Sequence, residues 1–144
     1  MPQPVWIVVA NGSRARVFQR ESEGAPLVEV KDWLHPGTRQ HPQDLKGGHR
    51  TSGMRGRSGL AERSHPHDHE RDAFAHEISQ WLTHATNSQA IHRIALLSSH
   101  PFLDDLMACA QGAWHQHLCA THAVDLTRLP MAELEQRLRH DYRL

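Results

Sequence analysis

Val5-Trp6-Ile7-Val8-Val9-Ala10-Asn11-Gly12 is the stretch on which the fold turns. Its first six residues are apolar and mostly β-branched, with no polar interruption. Such a run is expected of a strand buried on both faces, at the centre of a sheet. Asn11-Gly12 ends it with a pair that tolerates positive φ, a hairpin signal. The chain returns through Arg14-Ala15-Arg16-Val17-Phe18-Gln19 and turns at Ser22-Glu23-Gly24-Ala25-Pro26. It runs out again through Leu27-Val28-Glu29-Val30-Lys31-Asp32-Trp33. Three strands joined by short turns form an antiparallel meander.

Periodicity then stops. His35 to Pro66 contains three prolines and six glycines and has no sustained apolar spacing. An irregular segment of that length in a compact domain is usually functional or disordered. Regular structure resumes near Asp68, where Phe74, Ile78, Trp81, Leu82 and Ala85 recur at helical spacing and predict an amphipathic helix of about four turns. Ala90 to Leu97 reads as a buried strand. Ser98-Ser99-His100-Pro101 reads as a helix start, with Ser99 as cap and Asp104 and Asp105 at the positive end of the helix dipole. Phe102, Leu106, Cys109, Ala110 and Trp114 or Ala113 supply the buried face of that helix. Ala123-Val124-Asp125-Leu126-Thr127 reads as a short strand, and a last helix opens at Pro130 with Met131, Leu134 and Leu138 as its stripe.

The order is therefore β-β-β, long loop, α-β-α-β-α. Strands reached through helices run parallel with right-handed crossovers. This predicts one α/β domain over residues 1–144, with a five-stranded mixed sheet of order 3-2-1-4-5 and three helices. The topology is ribonuclease-H-like or ribosomal-protein-like, with a long irregular loop at about 35–66. A chain of 144 residues is long enough to bury one such core.

Charge is balanced, 16 basic against 16 acidic residues, so no overall field favours nucleic acid. The opening MPQPVWIVVANG lacks a basic region and a long apolar run, and no later stretch approaches a spanning length. We therefore expect a cytoplasmic protein with no membrane partner. Two cysteines, Cys109 and Cys119, in or beside one apolar helical segment read as reduced, mostly buried thiols.

Three groups of residues could carry chemistry. The first is the segment Lys46-Gly47-Gly48-His49-Arg50-Thr51-Ser52-Gly53-Met54-Arg55-Gly56-Arg57-Ser58-Gly59. Glycines let backbone N–H groups approach a phosphate, and arginines add bidentate donors. Lys46, Gly47, Gly48, His49, Arg50, Arg55, Gly56 and Arg57 are the candidate RNA- or phosphate-binding residues; a solvated loop is the plain alternative. The second is His65-Pro66-His67-Asp68-His69, where His65, His67 and His69 are candidate metal ligands. The third is Ser98-Ser99-His100 with Asp104 and Asp105, which a helix cap explains more simply than a catalytic triad. Two-metal nuclease chemistry on this sheet needs carboxylates on the central strand, which has none. No cofactor is expected.

The segment Val5-Trp6-Ile7-Val8-Val9-Ala10-Asn11-Gly12-Ser13-Arg14-Ala15-Arg16-Val17-Phe18 resembles the start of the bacterial host attachment proteins, described as required for attachment to host cells. The resemblance continues through the glycine-arginine loop, Phe74-Ala75, the helix led by Pro101, Asp125-Leu126-Thr127, Pro130 and Glu133-Leu134. That family is in turn similar to the middle domain of archaeal and eukaryotic class-1 release factors, whose matching loop carries a Gly-Gly-Gln motif. Gly47-Gly48 occupies that loop here, with His49 in place of the glutamine. The resemblance implies a non-catalytic binding or regulatory protein, contacting RNA or the ribosome through the loop and acting on attachment indirectly. A hydrolase of peptidyl-tRNA or a related ester using the same loop is the alternative, and a metal-binding protein using the histidine cluster is the second.

Overall fold

Alternation along the first strand sorts the core into two. The structure is a computed structural model that describes residues 4–35, 66–89 and 91–144. Strand β1 (Val5–Ala10) is buried at every position. Trp6, Val8 and Ala10 face one hydrophobic cluster, while Val5, Ile7 and Val9 face the other. Successive side chains of a strand point to opposite faces, so an uninterrupted apolar run has to be covered twice.

Strands β2 (Arg14–Arg20) and β3 (Val28–Leu34) complete the antiparallel meander. Strands β4 (Ile94–Ser98) and β5 (Leu118–His122) add in parallel on the other side of β1. The sheet order is β3-β2-β1-β4-β5, as the sequence predicts. Helices α1 (Pro66–Gln89) and α2 (Phe102–Ala110) supply Phe74, Ile78, Leu82, Phe102 and Leu106 to the first cluster. Helix α3 (Met131–Tyr142) supplies Leu134 and Leu138 to the second. The result is three layers, two helices over one face of the sheet and one over the other.

Aromatic contacts fasten α1 to the sheet. Trp81 stacks on Trp6 with ring centroids 5.3 Å apart, and Trp33 meets Trp81 edge-on at 5.2 Å. The buried indole N–H of Trp114 donates to Ser79 Oγ at 2.7 Å, and that hydroxyl donates to the Cys109 carbonyl at 3.2 Å. A polar handle inside an apolar cluster is thereby satisfied.

Four local expectations need correction. Helix α1 has 24 residues, well beyond the four turns that its apolar stripe marks. The last strand is Leu118–His122 and not 123–127. Gly112, at φ 72°, ends the helical stretch early, and the chain turns back through a short 3-10 turn at Trp114–His117. Residues 125–127 form a tight turn, because Asp125 Oδ1 accepts both the Thr127 N–H at 2.9 Å and its hydroxyl at 2.7 Å. Leu126 is buried in the second cluster, which accounts for the strand-like pattern there. Ser99 makes no side-chain cap on α2; its backbone carbonyl accepts the Leu103 N–H instead. Cys119 lies exposed on β5 and Cys109 is half-buried; both are free thiols.

Candidate functional site

At the carboxyl end of β1 the polar groups of three loops meet. Asn11 directs its side chain two ways. Its Oδ1 accepts the Ser13 and Arg14 backbone N–H groups, both at 2.8 Å, which closes the β1–β2 hairpin. Its Nδ2 donates to Asp125 Oδ2 at 2.9 Å and to Thr127 Oγ1 at 3.1 Å, tying the hairpin to the loop after β5. Neither Asn11 nor Gly12 has a positive φ, so asparagine serves this turn through its side chain and not through its backbone tolerance.

Arg16 carries the tie onto the sheet. Its guanidinium pairs with Glu29 at 3.1 Å and donates from Nη1 to the carbonyls of Leu129 and Thr127, at 3.1 and 3.3 Å. Beside it, Val124 donates its N–H to the Ser98 carbonyl, at the end of β4. Burial works to raise the pKa of Asp125. Hydrogen bonds from Asn11 and from the Thr127 hydroxyl and backbone, with the charge of Arg128, outweigh it and hold the carboxyl below its ordinary value.

The same end of the sheet receives both stems of the long segment between β3 and α1. His35 follows β3 and donates its backbone N–H to the Ser13 carbonyl at 2.9 Å. Its Nε2 lies 2.8 Å from Glu70 Oε1 on α1, and its ring stacks on Phe74 at 4.9 Å. One turn away, Arg71 pairs with Asp105 of α2 at 2.6 Å, and its stem lies against Gly12. The chain leaves β1 toward β2 and leaves β4 toward β5, so this is the point where the sheet's winding reverses. Open α/β sheets bind their ligands at that crevice.

Lys46, Gly47, Gly48, His49, Arg50, Arg55, Gly56 and Arg57 lie outside the described residues. So do His65 and the His67 side chain, while His69 is exposed on α1. Among the described residues no group of three or more histidine, cysteine or carboxylate side chains is placed to hold a metal. The serine-histidine-aspartate grouping does not assemble: Ser98 Oγ donates to the Ser99 carbonyl, and His100 pairs with Asp104 at 3.3 Å on the surface. Sequence reasoning missed Asp125 and Thr127 as partners of Asn11, and Arg16 as the donor to the Thr127 and Leu129 carbonyls. The spacing Asp-x-Thr carried the available signal, since an aspartate two residues before a hydroxyl residue favours a side-chain-closed turn over a strand.

These elements define a three-layer α/β domain that gathers its loops at the carboxyl end of the central parallel strands. Residues 6–138 match the family described as protein required for attachment to host cells, and the chain belongs to that family. No curated protein matches the chain. Among the described residues no helix is long and apolar enough to cross a membrane.

Proposed function

We propose that this member of the host attachment family is a non-catalytic, cytoplasmic binding or regulatory protein. In this reading it presents the basic 46–57 segment from the carboxyl end of its sheet to RNA, with the ribosome as the natural surface. The observation that carries the proposal is the anchoring of both stems: His35 is held by Ser13 and Glu70, beside the Asn11 hairpin. A segment with Lys46, Arg50, Arg55 and Arg57 emerging from a braced base suits phosphate contacts that are independent of sequence. The likeness to the middle domain of release factors belongs to this proposal too, and it points toward the same kind of surface.

Binding is favoured over hydrolysis by how the polar groups at the site are used. Asn11 spends its amide on four hydrogen bonds, and Asp125 is held ionised by its neighbours instead of being poised to exchange a proton near neutrality. A cytoplasmic binding protein would affect attachment indirectly, through regulation or translation.

Co-sedimentation with ribosomes at low and moderate salt tests the reading. Association that weakens with salt is expected, and Arg55→Ala with Arg57→Ala should lower the salt slope by about 2. Absence of association at both salt concentrations refutes it.

A further inference from the structure

The opposite end of the sheet holds a second polar feature, unconnected with the loop. Arg20, the last residue of β2, pairs in register with Val5 at the amino end of β1. Its side chain is fully buried, at 1 % exposure. Nη1 donates to the Ala25 carbonyl, but Nε and Nη2 have no hydrogen-bond partner among the described residues. Buried guanidinium donors are ordinarily paired, because removing them from water without a partner is costly.

Beside this side chain lies a cavity of about 220 Å³ that Arg20, Glu23, Arg93, Arg143 and Leu144 help to line. A neighbouring cleft of about 490 Å³ shares Arg20, Glu23, Arg143 and Leu144 and adds Arg139. Four arginines thus converge from four places: the end of β2, the approach to β4, the last turn of α3 and its left-handed cap at Arg143. The carboxyl end of α3 offsets part of this charge through its dipole. Glu23 is the acidic side chain on the wall. Glu135, the other acid near Arg20, already accepts the Leu27 N–H at 2.9 Å. Burial, and after it the charge of Arg139, pulls the Arg20 pKa below its ordinary value, against the opposing charge of Glu135.

We propose that this cavity is an anion-binding site for a phosphate group, with Arg20 at its floor and Arg93 and Arg143 at its mouth. A tetrahedral oxyanion offers several acceptors in different directions, which suits planar guanidinium forks arriving from separate elements. A carboxylate has a single plane of acceptors and would leave part of the set unused.

Calorimetric titration of the full chain with inorganic phosphate, at ionic strength held constant with chloride, tests the site. Saturable binding is expected. Arg93→Ala and Arg143→Ala should each weaken it about tenfold, the effect of losing one charge-assisted hydrogen bond. Glu23→Gln should tighten it by removing the opposing charge. Arg20→Lys is a secondary variant because the residue is buried; the two outer arginines carry the test, with circular dichroism verifying their fold. No saturable binding, or binding equal in wild type and both outer variants, overturns the site. Acetate or succinate binding as tightly as phosphate overturns the assignment to phosphate.

Discussion

Replacing Asn11 by alanine should unfasten the carboxyl end of the sheet, and the size of the loss can be worked from its four hydrogen bonds. The two bonds from the Ser13 and Arg14 N–H groups are partly buried and contribute about 1 kcal/mol each. The bond to Thr127 is similarly placed and adds about 0.5–1 kcal/mol, while the exposed bond to Asp125 adds little, about 0–0.5 kcal/mol after solvent screening. Water can reach the freed N–H groups, which returns part of the loss, so a net destabilisation of about 2 kcal/mol is expected. The difference should also depend on pH. Asp125 has a folded pKa below its unfolded value, so its contribution is present above the unfolded pKa of about 4 and fades as pH falls through the folded one. Asn11→Ala removes one of the bonds that depress that pKa, so the gap between wild type and variant should narrow in acid by the share of the Asp125 bond, at most about 0.5 kcal/mol. Urea unfolding followed by tryptophan fluorescence, at neutral pH and near pH 3, reads both effects. A loss under about 0.5 kcal/mol at neutral pH, or one that grows in acid, would show that Asn11 is a solvated turn residue and nothing more.

Two further substitutions probe the frame that holds the site. Ser79→Ala strands the buried Trp114 N–H and should cost about 1–3 kcal/mol; Ser79→Ala with Trp114→Phe should recover part of that, because both partners are gone. The same urea titrations measure it. Gly112→Ala forces a side chain onto a left-handed backbone with open space around it, so the cost is conformational, about 1 kcal/mol, and Gly112→Asn should lose less in a thermal melt.

The sheet was legible because its strands announce themselves through burial. Val5 to Ala10 has to be central, and the turns at Asn11-Gly12 and Ser22 to Pro26 leave the next two strands no other direction. The final strand was not legible, for a physical reason. Leu118 to His122 is an edge strand of mixed polarity, whereas Val124 and Leu126 look more strand-like and are held in a turn by Asp125. The candidate site was legible only in part. Asn11 stood out as a turn residue, but its partners Asp125 and Thr127 lie more than a hundred positions away, and no local pattern encodes that meeting. Arg20 was invisible for a similar reason: it reads as an ordinary polar end of a strand until the ends of β1, β4 and α3 enclose it.

Strand β1 is also a spacer. At about 3.3 Å per residue its six residues hold the Asn11 hairpin and the Arg20 cavity about 20 Å apart. The two ends share no side chain, and substitutions at that separation combine additively. The domain therefore offers two independent handles: either end can be altered by mutation or occupied by a guest while the other serves as an internal reference.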